Sequence, residues 1–89
     1  SDALRQRFSL EGNAKGLVVI SLERGSDAAI KGIEPGDRIV EVNQKPVSSI
    51  EEIERELKNV KQMKRATVLL LVDGAAGLRF VAVKMADAD

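Results

Sequence analysis

Residues 25–43 read Gly25-Ser26-Asp27-Ala28-Ala29-Ile30-Lys31-Gly32-Ile33-Glu34-Pro35-Gly36-Asp37-Arg38-Ile39-Val40-Glu41-Val42-Asn43, and they specify a chain of local structures. Ser26 is suited to cap a short helix over 27–31, because its hydroxyl can accept from a first-turn N–H. Gly32 ends that helix at the position where positive φ costs little. Pro35 and Gly36 then fill the second and third places of a type II turn: proline presets φ and glycine accepts φ > 0. Residues 38–42 follow as a strand, and Asn43-Gln44 turns the chain again.

Upstream, Leu17-Val18-Val19-Ile20-Ser21-Leu22 is a bounded, β-branched run that predicts a strand buried on both faces. Gly12, Asn13 and Gly16 mark a loop. Residues 2–8 predict a short helix with Asp2 as N-cap and Leu4 and Phe8 on one face. Downstream, 45–47 is a short extended piece. The clearest helix comes next: Ser48 or Ser49 caps it, Glu51 and Glu52 sit at its positive end, and Lys58 and Lys61 lie near its negative end. Ile50, Ile53, Leu57 and Val60 form its apolar face. Residues 66–72 and 78–85 make a strand pair joined by Asp73-Gly74-Ala75-Ala76-Gly77. The tail 86–89 is polar and expected to fray. No internal repeat or linker breaks the order, so 1–89 reads as a single α+β domain. Its small, mostly antiparallel sheet has helices closing the open ends.

Composition excludes whole classes of function. The 89 residues carry 14 Lys+Arg against 14 Asp+Glu, no His, Cys, Trp or Tyr, and two Phe. Zero net charge and scarce aromatics argue against a nucleic-acid partner. Without His and Cys there is no Ser-His-Asp site, thiolate chemistry, disulfide or His/Cys metal site. No long apolar span is present, and charges within 1–20 interrupt any signal-peptide pattern. If the parent is exported, this chain is an internal piece of it.

The remaining polar clusters have plain structural explanations. Ser26, Ser48 and Ser49 stand where helices need caps. Glu51, Glu52, Glu54 and Glu56 are interleaved with Arg55 and Lys58, and the i,i+4 pairs Glu51–Arg55 and Glu54–Lys58 make a solvated face, with no metal implied. Gly74 and Gly77 lack the features of a phosphate loop, and no cofactor is expected. What remains is shape. A helix beside a sheet edge leaves a groove that accepts an extended peptide as an added strand. The stripe Ile50, Ile53 and Leu57 serves either the core or the pockets of that groove.

The 25–43 stretch closely resembles the signature of PDZ domains, G-S-x-A-x-x-x-G-[LI]-x-x-G-D-x-I-x-x-V-N, followed by a Pro-Val strand and a Ser-Ser-started helix. The resemblance spans nearly all of 16–85. The lead-in Ala3-Leu4-Arg5-Gln6-Arg7-Phe8 and the closing Leu78-Arg79-Phe80-Val81-Ala82-Val83-Lys84 resemble the PDZ domains of HtrA/DegP (Do-like) periplasmic serine proteases, most of all the second, C-terminal one. This implies a small, partly open antiparallel barrel with one long and two short helices, in the circularly permuted bacterial topology. It also implies a non-catalytic module of a periplasmic quality-control protease whose catalytic triad lies upstream. The module would bind substrate C-termini or extended peptides, or contact neighbouring subunits.

In that family a glycine-containing carboxylate loop and its strand precede the helix corresponding to 2–8. This chain starts after them, so it reads as an N-terminally truncated domain. Gln44 stands where an Asn-Gly turn is common. By resemblance the peptide site comprises Ile50, Glu54 and Leu57, with Ile53 and Lys58 beside them, and Val18 and Ile20 on the strand 17–22. The free edge of that strand is expected to be uncovered and open to self-association. The alternatives are a structural PDZ that mediates oligomer or cage contacts, and the PDZ of a different envelope protease or secretion component.

Overall fold

The 25–43 stretch folds as its residues dictate. Ser26 Oγ accepts the Ala29 N–H at 3.2 Å and opens helix α1 (Asp27–Ile30). Gly32, at φ 93°, ends it. The Gly32 and Ile33 N–H groups donate back to Ala29 O and Ala28 O, each at 3.0 Å, which satisfies two end carbonyls. The type II turn closes where Asp37 N–H meets Glu34 O at 3.0 Å, with Gly36 at φ 96°. Strand β3 (Arg38–Val42) follows.

The computed structural model describes residues 8–13 and 16–84, with side chains over 17–84. Before α1 come β1 (Phe8–Asn13) and β2 (Gly16–Leu22); after β3 come β4 (Lys45–Pro46), α2 (Ile50–Gln62), β5 (Thr67–Gly74) and β6 (Gly77–Lys84). The sheet runs β1-β2-β3-β5-β6, with β4 on β3, and its pairings are antiparallel. The open, PDZ-like sheet agrees with the expected fold class.

Several local expectations are corrected. Phe8, expected to end a helix, opens β1, and residues 2–7 lie outside the described residues. Gly12 and Asn13, expected in a loop, belong to β1, with Asn13 paired to Gly16. The strand 17–22 is not buried on both faces: Leu17 and Val19 are in the core, Val18 is half-buried and Ile20 is exposed. Its edge is not free either, because β1 pairs with it from Gly16 to Leu22. Ser9 pairs with Ser21 and Leu10 with Val19, so Ile20 is the extra residue of a bulge. A bulge breaks the ladder and turns the strand. The strand pair is Thr67–Gly74 and Gly77–Lys84, so Asp73 and Gly74 join β5, and Gly77, at φ 102°, opens β6. Met85 and the tail 86–89 lie outside the described residues.

The core is aliphatic: Leu17, Val19, Ile39 and Val42 of the sheet meet Val68, Leu70, Val72 and Val83, with Ile53, Leu57 and Val60 of α2 above them. Apolar burial drives this packing at about 25 cal/mol per Å².

At one end of the sheet α1 seals β6. Asp27 Oδ2 accepts the Lys84 N–H at 2.8 Å, and Lys31 Nζ donates to Ala82 O at 2.6 Å and to Asp27 Oδ2 at 3.2 Å. These groups use backbone sites that would otherwise recruit another strand. The Lys84 N–H holds the Asp27 carboxyl below its ordinary value; partial burial opposes this, and Lys31 reinforces it. A lowered folded-state value gives stability that is whole above the unfolded value, about 3.9, and fades as pH falls through the folded one. In urea unfolding, Asp27→Asn should be less stable than the parent at neutral pH and converge with it in acid. A gap that stays constant with pH would refute this linkage.

Three non-glycine residues take left-handed backbone angles: Asn43 at φ 56°, Gln44 at 70° and Lys64 at 59°. Asn43 and Gln44 form the tight turn between Val42 and Lys45, a turn that needs positive φ at both positions. Lys64 ends α2, with Lys64 N–H on Lys61 O at 2.9 Å and Arg65 N–H on Val60 O at 3.3 Å. Asn tolerates these angles; Gln and Lys do not. Gln44→Gly and Lys64→Gly should each raise unfolding stability by about 0.5 kcal/mol, the difference between left-handed strain and glycine's entropy cost. A fall in stability for both would show that the strain is absent.

Candidate functional site

Helix α2 supplies one wall of the candidate site. Ser49 Oγ accepts the Glu52 N–H at 3.1 Å, so Ser49 is the cap. Glu52 Oε1 reaches back one residue earlier, accepting from Ser48 N–H at 2.7 Å and Ser48 Oγ at 3.1 Å. Those bonds, led by the Ser48 N–H, lower the Glu52 carboxyl, with Arg55 contributing. The reciprocal bonds define where the helix starts and hence its register over the sheet.

That register gives the helix three longitudinal stripes. Ile53, Leu57 and Val60 are buried and face the core. One flank is tied to β4, where Glu56 Oε1 lies 3.9 Å from Lys45 Nζ. The opposite flank carries Ile50, Glu54, Lys58 and Lys61, spaced so that they line one side. Ile50 is half-buried against the core cluster, Glu54 is half-buried, and both lysines are exposed. The pairs expected at Glu51–Arg55 and Glu54–Lys58 are not found among the ion pairs of the described residues.

The other wall is the sheet end. α2 touches β1, β3 and β5. β1 terminates the sheet, and among the described residues nothing pairs with its outer edge. A cleft with one apolar and charged helical flank and one open strand edge can accept an extended chain through backbone hydrogen bonds, with side chains alternating toward the helix. Among the described residues no acidic cluster converges to hold a metal ion.

The structure brings only part of the expected set together. Ile50, Glu54, Leu57 and Lys58 share the α2 surface from core margin to flank. Ile53, 1% exposed, is core. Val18 and Ile20 lie on the sheet face opposite the buried Leu17 and Val19, away from α2, and β2 is an interior strand. The strand edge that reasoning from the sequence missed is β1. Its signal was present: Phe-Ser-Leu-Glu and Leu-Val-Val-Ile stand a hairpin's distance apart, with Asn13 and Gly16 between them.

Comparison with known proteins identifies the fold's family. The profile of the PDZ domain family matches residues 5–73, and the chain belongs to that family of non-catalytic domains. Its curated relatives include DegP-like periplasmic serine endoproteases. The one from Chlamydia muridarum is 40% identical over 79 residues, covering 89% of this chain and 15% of its own length. The one from Bartonella henselae is 46% identical over 68 residues, covering 76% and 14%. The chain thus spans only a small fraction of these relatives. Among solved structures, a PDZ domain protein from Parabacteroides distasonis superposes with a TM-score of 0.71 at 30% identity, over 86% of this chain and 18% of that one. The HtrA3 PDZ domain bound to a phage-derived ligand superposes at 0.57 with 24% identity, over 80% and 62%, a likeness of fold.

Burial separates stability from recognition on α2. Ile53→Ala should cost about 2–4 kcal/mol of unfolding free energy, as a fully buried side chain does, and Ile50→Ala about 1 kcal/mol. Equal losses in denaturant titrations would place Ile50 in the core and remove it from the cleft.

Proposed function

We propose that this chain is the peptide-binding PDZ module of a DegP-like periplasmic serine endoprotease, the second, C-terminal PDZ of that parent. It takes extended segments or C-termini of unfolded proteins as an added strand on the outer edge of β1, beside the Ile50–Glu54 flank of α2, with Leu57 buried beneath it. The catalytic residues of such a parent lie elsewhere, since this sequence has no His. The observation that carries the reading is the asymmetry of the sheet. Asp27 and Lys31 occupy the Lys84 N–H and the Ala82 carbonyl at the end of β6, whereas β1 ends the sheet next to α2. The HtrA3 PDZ domain, solved with a phage-derived ligand bound, and the identity to DegP-like endoproteases support it. The same open edge would let two copies pair with each other.

A second reading, a module that joins neighbouring subunits, is favoured by Leu78 and Phe80. They are 64% and 58% exposed at alternate positions of β6, a large apolar exposure for one strand.

Titration of the isotopically labelled chain with an extended apolar peptide tests the first reading. NMR should show shifts and new exchange protection at β1 amides and shifts at the Ile50 and Leu57 methyls, with β6 amides unmoved. Saturable binding that perturbs β6 and leaves β1 untouched would overturn it.

A further inference from the structure

We propose that the cleft selects acidic extended peptides, whose Asp or Glu side chains face Lys58 and Lys61 on the last turns of α2; this rests on the reading of the cleft as a peptide site. Ile50, Glu54, Lys58 and Lys61 form the flank opposite the one beside β4, and its chemistry changes along its length from apolar and acidic to cationic. The opposite flank is already satisfied, with Glu52 used by Ser48 and Glu56 beside Lys45. Lys31, Arg38, Lys45 and Arg79 have acidic partners, whereas Arg24, Arg55, Lys64, Arg65 and Lys84 form no ion pair among the described residues. Lys58 and Lys61 are exposed and make no ion pair among the described residues. Residues 57–65 hold Lys58, Lys61, Lys64 and Arg65 and no acid at all. Glu54, one turn earlier, makes an interaction of its own. Among the side chains described over 17–84, no carboxylate pairs with Lys58 or Lys61.

The spacing suits a strand ligand. Side chains of an added strand face the helix at every second residue, about 7 Å apart, and Lys58 and Lys61 are separated by a rise of about 4.5 Å. Two carboxylates at alternate ligand positions fall within reach of both flexible stems. Lysines near a helix C-terminus also suit the macrodipole, but that role affects stability alone and predicts no preference among peptides.

Fluorescence anisotropy with the whole chain tests this. The probes are capped octapeptides with a Val-rich half and a Glu-rich half, in both orders, and matched versions with Ser or Lys in place of Glu. The better-oriented Glu peptide should bind about fivefold tighter than its Ser counterpart at low ionic strength, the Lys peptide should bind more weakly, and the gap should close in high salt. In the Lys58→Glu/Lys61→Glu variant the order should reverse, and in Lys58→Gln/Lys61→Gln the preference should vanish, with circular dichroism confirming folding of each. Equal affinity for Glu and Lys peptides, or a Glu preference that survives both variants, would overturn the proposal. A further Ser peptide with a free C-terminal carboxylate separates the sources: if only that peptide gains from the lysines, they read a chain end and the side-chain assignment is wrong. If no peptide binds at all, the peptide site itself fails and the selectivity with it.

Discussion

The carboxylate of Asp37 is the point at which three separate parts of the chain meet. The Asp37 side chain is only 10% exposed, and its carboxylate accepts the Glu34 N–H at 2.9 Å, closing its own turn from within. Arg79 of β6 approaches it at 3.5 Å while donating to Gly32 O at 2.8 Å. A Cβ on Gly74 of β5 would lie 2.6 Å from Asp37 Oδ1, so only glycine allows the β5–β6 hairpin to come this close. The turn's backbone meanwhile joins β2, through Gly36 N–H to Val19 O and Val19 N–H to Asp37 O, both at 2.8 Å. Taking a carboxylate this far from water costs several kcal/mol unless donors replace the solvent. Here the Glu34 N–H and Arg79 supply those donors and tie the turn after α1 to β6, while the turn's own backbone holds β2, and β3 starts from that junction.

From this junction the two ends of the sheet acquire different fates. At β6 a single turn of helix places Asp27 and Lys31 against the strand backbone, and the Ala82–Lys84 end of that edge is capped by two side chains. At β1 no such guard exists among the described residues, and α2 stands alongside. Under the proposed function, strand addition would be directed to one place. The helix is itself anchored from both ends, by the Ser48–Ser49–Glu52 bonds at its start and the Lys64 turn at its finish. The flank it offers to the cleft is consequently set by the cap and does not drift with packing.

Much of this was legible in the residues. Ser26, Gly32, Pro35 and Gly36 each have a local backbone job, and each does it in the structure because capping and turn geometry depend on neighbours within a few positions. The amphipathic stripe of α2 was equally plain. The strand pairing of Phe8–Asn13 was not, since a short polar-apolar run with Leu4 and Phe8 four apart fits a helix turn as well as an edge strand. The position of Val18 and Ile20 on an interior strand, away from the sheet's end, was hidden for a related reason. A continuous run of apolar residues does not show which faces are buried, and the bulge at Ile20 changes the alternation midway.

The amino-acid order by itself determined the caps, the turns, the long helix and the absence of histidine and cysteine chemistry, because each is a property of nearby residues or of composition. Only the tertiary structure decided which strand ends the sheet, which edge Asp27 and Lys31 cap, and which flank of α2 lies beside β4. Those outcomes depend on partners far apart in the chain, such as Asp27 with Lys84 and Asp37 with Arg79, whose encounter no local pattern encodes.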